Sequence, residues 1–163
     1  LSGVLIRRAR LSDGPAVWAI LAPVIRAGET YALPRDMGEA AALAYWLAAE
    51  KQSFVAERDG IVVGTYYLRP NQAGGGAAVA NAGFMTAPAA RGQGIARIMA
   101  QDALARARAA GYRAMQFNFV VATNTGAIGL WESLGFRTLC RLPQAFDHPQ
   151  AGRVDALTMF REL

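Results

Sequence analysis

Arg91-Gly92-Gln93-Gly94-Ile95-Ala96 stands between an apolar run, Ala78 to Thr86, and an alanine-rich stretch that reads as one long helix. Glycines at 92 and 94 let the backbone come close to a ligand. The first N–H groups of the following helix lack intrahelical partners and sit at its positive dipole end. Strand, glycine turn and helix in that order make a socket for phosphate. Two other phosphate motifs are excluded: Arg97 occupies the last glycine position of a Gly-x-Gly-x-x-Gly fingerprint, and no Gly-Lys-Ser/Thr follows.

Outward from the turn, Ile95, Met99, Ala103 and Ala107 recur at helical spacing as far as a stop at Gly111. Ala114 to Val121 then reads as a strand, with Met115, Phe117, Phe119 and Val121 on one face and Gln116 and Asn118 on the other. About thirty residues past the turn, Asn124-Thr125-Gly126-Ala127-Ile128-Gly129-Leu130-Trp131-Glu132-Ser133-Leu134-Gly135-Phe136 reads as a short helix with Asn124 as N-cap and Gly135 as left-handed stop. Upstream, Val4 to Arg10 reads as a strand. Ser12-Asp13 caps a helix from Pro15 to Ala27 that Pro23 kinks or shortens, and Asp36 with Glu39 resembles a capping box for a second helix to about Ala49. Asp59-Gly60 joins Ser53 to Arg58 and Ile61 to Arg69 as a hairpin, and Pro70 to Gly76 is a flexible turn. Arg137 to Leu142 and Val154 to Phe160 close the chain as a strand pair, joined by a polar loop that holds the single His148 on the surface.

At 163 residues and 53% hydrophobic content, the chain fits one domain, 1–163, with a sizeable core. No apolar run is long enough to span a membrane, and no leader segment is visible, so no membrane partner is expected. One cysteine, Cys140, fits a reducing cytoplasm and is expected to pack as a small hydrophobe. The net charge of +5 comes from sixteen Arg and one Lys, but the arginines are scattered and no basic run interleaves with aromatics. Nucleic acid is therefore not the expected partner, and a multiply phosphorylated ligand accounts for part of the charge. No His/Cys/Asp/Glu cluster has metal spacing, so no metal is expected.

Arg91, Gly94 and Ala96 fill the Arg/Gln-x-x-Gly-x-Gly/Ala motif of the GCN5-related N-acetyltransferase (GNAT) family, and Asn124 to Phe136 resembles that family's Asn-x-x-Ala-x-x-Leu-Tyr-x-x-x-Gly-Phe segment. The order of elements resembles the GNAT order over the whole chain. The resemblance implies an α/β (α+β) fold, a mixed central sheet flanked by helices, in which Ala78 to Thr86 and Ala114 to Val121 splay apart. It implies acetyl transfer from acetyl-CoA to an amine by direct attack in a ternary complex. By analogy the backbone of Phe84, Met85 and Thr86 pairs with the pantetheine arm and polarises the thioester. Gly92, Gln93, Gly94, Ile95, Ala96 and Arg97 give N–H groups to the pyrophosphate, Arg91 begins that loop, and Asn124 contacts the arm. Homodimers are common in the family, and nothing in the sequence locates an interface.

Trp131 departs from the pattern, because many members have Tyr there as general acid and an indole N–H is not a usable acid. Trp131 is expected to pack beside the cofactor. The proton then comes from water, from Tyr66 or Tyr67, or from the incoming amine. Asn81 stands where some members place an acidic base, and Asn118 lies mid-strand on the neighbouring strand. The two are candidate catalytic residues that accept the amine N–H and orient its lone pair; buried amides otherwise satisfy backbone or water. Asn81-Ala82-Gly83-Phe84 and Phe117-Asn118 resemble the family members of yeast that acetylate azetidine-2-carboxylate, which implies a small amino acid or toxic analogue as acceptor. A carboxylate calls for Arg or backbone donors, and the sequence does not say which Arg. Glu29 and Tyr31, between the first two helices, are candidate acceptor contacts, with Glu29 a base through water. The alternatives are acetylation of a protein N-terminus or an aminoglycoside, or an acetyl-CoA sensor with little turnover.

Overall fold

Val4–Arg8 (β1) leads through a 3-10 turn into Gly14–Ala27 (α1) and Glu39–Trp46 (α2), then Gln52–Arg58 (β2), Ile61–Pro70 (β3) and Val79–Thr86 (β4). Ile95–Ala109 (α3), Ala114–Val121 (β5), Thr125–Ser133 (α4), Arg137–His148 (β6) and Gly152–Glu162 (β7) complete the chain. This computed structural model describes residues 3–163. The seven strands form one sheet in the order β1-β2-β3-β4-β5-β7-β6. Only β4 and β5 run parallel; the other neighbours are antiparallel. It is the expected mixed sheet flanked by helices.

Alternating side chains supply a core on each face of the sheet. On one face Phe54, Tyr66, Leu68 and Met115 pack with Ile95, Met99 and Leu104 of α3 and with Trp131 and Leu134. On the other, Val55, Tyr67 and Met85 pack with Val17, Ile20, Leu21 and Ile25 of α1 and with Trp46 of α2. Adjacent Tyr66 and Tyr67 thus point to opposite cores. The Asp59-Gly60 hairpin forms as expected, with both residues at positive φ, 52° and 77°, the conformation a two-residue primed turn requires.

Several expectations are corrected. β1 ends at Arg8 rather than Arg10, and Pro23 does not shorten α1, which runs on to Ala27. Asp36 and Glu39 form no capping box: Pro34 starts a turn that Met37 N closes onto Pro34 O at 3.0 Å, Gly38 is the cap, and α2 stops at Trp46. The polar loop after Leu142 is strand instead. β6 continues to His148 through a bulge that holds Pro143, which has no N–H to give a ladder, and Gln144 at φ 50°. The connecting turn is closed by His148 Nδ1, which accepts from Gln150 N and Ala151 N at 3.2 and 3.1 Å. Cys140 is exposed, because β6 is the outer strand of the sheet. In β5 the alternation breaks at a bulge between Phe117 and Val120, so Val120 is buried and Phe119 is turned outward.

Asp13 does not cap α1 with its side chain. Its carboxylate takes both terminal nitrogens of Arg7 at 2.8 Å and Arg10 N at 2.7 Å, while Arg7 Nε reaches Glu57 at 2.9 Å. The Arg7 guanidinium, then the Arg10 N–H, hold Asp13 down at about 2 against the opposing effect of burial. Its stabilisation is therefore complete above the ordinary carboxylate range and lost as pH falls toward about 2, a contribution of about 2 kcal/mol. Urea titrations from pH 5 to pH 2 should show Asp13→Asn lacking about that much of the wild-type loss. Identical pH dependence in the two proteins would remove Asp13 from the account.

Candidate active site

The glycine turn has the geometry its sequence called for. Gly92 and Gly94 have φ of 73° and 78°, and Gly94 is the cap of α3. The first backbone bond of the helix is Ile98 N to Gly94 O at 3.1 Å, which leaves the N–H groups of Ile95, Ala96 and Arg97 without intrahelical acceptors. Gln93 Nε2 ties the turn back to Ala89 O at 2.8 Å, and Arg97 donates to Ser133 Oγ at 2.9 Å, linking α3 to α4. Arg91 and Gly92 are exposed, and a Cβ at Gly92 would meet nothing within 4 Å. Free N–H groups, a positive helix end and an exposed arginine suit a pyrophosphate.

Above the turn the sheet opens. β4 and β5 pair only at Val79↔Ala114 and Ala80↔Met115, and then part. The backbone bonds Ala87 N to Val63 O and Asn71 N to Val79 O fix the phase of the β3–β4 ladder. By the period of two, residues 79, 81, 83, 85 and 87 turn their polar backbone groups to β3, and Ala82, Phe84 and Thr86 turn theirs to the gap. A cleft of about 270 Å³ fills it. The aromatic wall is Phe84, Phe117 and Trp131, with Trp131 5.2 Å from Phe84 and 4.8 Å from Phe117 between ring centres. Asn124 lines the same cleft and caps α4, its side-chain oxygen accepting from Ala127 N at 3.4 Å.

Polar groups gather at the far end. Asn81 is buried and donates Nδ2 to Gln116 O at 2.9 Å, while its Oδ1 has only a 3.5 Å contact from Arg69 Nε. Asn118 is exposed; it accepts from Gln116 Nε2 at 2.9 Å and donates to Asn71 Oδ1 at 2.7 Å. Tyr31, Tyr45 and Tyr67 complete this end, and Arg69 is the single charged side chain in the lining. Behind Tyr45 and Tyr67 lies buried Lys51, its ammonium 3.4 and 4.6 Å from their ring centres. Burial, and then the charge of Arg69, push Lys51 down to about 8. Burial raises the Tyr31 and Tyr67 hydroxyls well above the ordinary phenol value, so both keep their protons at neutral pH.

The structure therefore gathers Asn81, Asn118, Tyr31, Phe84, Asn124 and Trp131 around one cleft, with the 91–97 turn carrying the free N–H groups. It separates others. Glu29 does not line the cleft, and Met85 turns its backbone to β3 and its side chain into the core, so it offers the gap no polar group. Tyr66 does not line the cleft, and its hydroxyl donates to Asp102 of α3. Arg69, Tyr45 and Gln116 escaped the sequence reading. A signal for Arg69 existed, because the hairpin register sets it opposite Asn81.

Residues 18–136 match the acetyltransferase (GNAT) family, and the chain belongs to that family. It is an acetyl-CoA-dependent N-acetyltransferase. A solved GCN5-related N-acetyltransferase from Kribbella flavida is 41% identical, with a TM-score of 0.95 over 99% of this chain and 98% of that one. The N-acetyltransferase aca1 of Schizosaccharomyces pombe is 39% identical over 75 residues, 46% of this chain, and the match spans only 36% of that relative's length. The Salmonella typhimurium acetyltransferase yncA, solved with acetyl-CoA, shares the fold at a TM-score of 0.86 and 24% identity over 99% of this chain and 95% of that one. No helix among the described residues is long and apolar enough to cross a membrane.

Proposed function

We propose that the enzyme acetylates the amine of a small molecule that also bears a carboxylate, an amino acid or a toxic amino-acid analogue, by direct attack with both substrates bound. Arg69 carries this reading. It is the one charged group in the cleft lining, half-buried, with no carboxylate within ion-pair distance among the described residues, and Lys51 adds a second positive charge behind the wall. Such a site favours an anionic group and penalises a polycation.

The residues fit acetyl-CoA, which supplies an activated acetyl group. Arg91 and the N–H groups of Gly92, Gln93, Gly94, Ile95, Ala96 and Arg97 would hold the pyrophosphate, as free donors at a helix start. Phe84 and Thr86 would pair with the pantetheine arm, and Asn124 and Trp131 would flank it. The Phe84 N–H would donate to the thioester oxygen as charge develops there. Asn81 Oδ1 would accept an N–H of the acceptor amine and orient its lone pair, with Asn118 at the mouth and Arg69 on the carboxylate. The positive charge of Arg69 and Lys51 favours the neutral, nucleophilic form of an amine held beside them. The proton on the departing thiol would come from the amine itself, from water, or from Tyr67, which lines the cleft. The whole chain acts as one domain, in a reducing cytoplasm, with no metal and no nucleic-acid partner.

The test is thiol release from acetyl-CoA across amino acids, proline analogues, the amides of the same acids, polyamines and aminoglycosides. Release with the acids and little with their amides supports the reading. Release confined to polyamines or aminoglycosides overturns the acceptor class, and acetyl-CoA binding without release for any acceptor makes the protein a sensor.

A further inference from the structure

One side chain already occupies the open edge of β4. The Tyr31 hydroxyl accepts from Phe84 N at 2.8 Å and donates to Phe84 O at 2.9 Å, across 53 residues of sequence. A phenol has one hydrogen to give and lone pairs to accept with, so a single oxygen satisfies both polar groups of one strand residue. Phe84 needs this because its backbone faces the gap where β5 has departed, and buried backbone groups left unpaired are costly. Tyr31 stands in for the missing strand at that residue. The loop that carries it is pinned at its base, where Arg26 donates to Arg35 O and Met37 O and Arg35 donates to Arg26 O at 2.6, 2.8 and 2.9 Å. Its tip, Thr30 to Leu33, lines the acceptor end of the cleft.

We propose that the Tyr31 hydroxyl is a built-in competitor of the acyl donor: it caps Phe84 in the free enzyme and must leave that residue when acetyl-CoA binds. The inference rests on the reading that the pantetheine arm and thioester pair with the open edge of β4. An oxygen that accepts from the Phe84 N–H and a group that donates to its carbonyl are what a thioester and its arm bring, and Tyr31 fills both positions in the structure. Donor loading therefore displaces the loop between α1 and α2 and rebuilds the wall that meets the acceptor. By linkage, an acceptor that favours the displaced loop strengthens donor binding by the same factor. Tyr31 is in this sense a positioning residue, and its effect on the acceptor comes through the loop.

Tyr31→Phe keeps the ring that packs edge-on to Trp46 at 6.0 Å and removes only the hydroxyl. Removal of the competitor should lower the acetyl-CoA Kd by about tenfold, and loss of the two bonds should lower the free enzyme's Tm by about 3 °C. Stability and affinity move in opposite directions, which a merely structural residue would not produce. Calorimetric titration and thermal melts of wild type and variant read both. An acetyl-CoA Kd that is unchanged or weaker in the variant overturns the proposal. A wild-type crystal structure with acetyl-CoA gives a second, independent check, since a Tyr31 oxygen still bonded to Phe84 N would overturn it whatever the variant does. Wild type that fails to bind acetyl-CoA sinks the reading of the cleft itself; wild type that binds it with Tyr31 in place sinks the latch alone.

Discussion

Arg69→Met should raise the KM for amino-acid acceptors by about a hundredfold while the KM for acetyl-CoA stays within about twofold. Methionine retains most of the apolar stem that Arg69 lays along the cleft and removes only the guanidinium. A charge-assisted pair with a carboxylate in a partly desolvated site is worth roughly 2–4 kcal/mol when one partner is truncated, which sets the hundredfold figure. The guanidinium is available for the task, because its hydrogen bond to Asn81, donated by Nε to Oδ1, is long at 3.5 Å. Lysine should rescue only part of the loss, since an ammonium cannot make the planar two-bond contact. The decisive comparison is an amino acid against its amide. Wild type should prefer the acid strongly, the variant should treat the two nearly alike, and a variant that keeps the wild-type preference would falsify the assignment of Arg69 to the carboxylate.

What could be read from the sequence was local. Asp59-Gly60, the cap at Asn124 and the glycines of the 92–94 turn are short-range demands on φ or on orphan N–H groups, and residue type alone reveals them. What failed depended on partners far along the chain. Asp13 has the composition of a helix cap, yet the Arg7 fork outbids the helix for its carboxylate. Asp36 and Glu39 have capping-box spacing, but the turn at Pro34 moves the helix start to Glu39. Phe119 fits a period of two that the bulge in β5 interrupts, and that bulge lies beside the cleft, as bulges near active sites often do. Within the site, Asn81 and Asn118 stand out as amides in apolar strands. Arg69 and Tyr45 are brought to the cleft by strand register and by the packing of α2.

Asn81→Ala should reduce kcat by roughly a hundredfold and leave acetyl-CoA affinity within about threefold, because a misplacement of order 1 Å in the reacting geometry already costs that much. Two separate functions of one amide lead to this. Its Nδ2 donates to Gln116 O at 2.9 Å, one residue beyond the last parallel pair, Ala80↔Met115, so a side chain replaces the ladder bond at the point where the strands part. Its Oδ1 is left facing the acceptor end with little else to accept. Truncation strips the Gln116 carbonyl of its partner, which should cost about 1–3 kcal/mol of stability, and removes the acceptor for the amine N–H. The pyrophosphate socket, at the start of α3, is untouched by either change. Donor affinity, kcat and unfolding free energy measured on the same variant separate the two contributions. A fall in acetyl-CoA affinity as large as the fall in kcat would show that Asn81 holds the splayed strands apart and does nothing further for the acceptor.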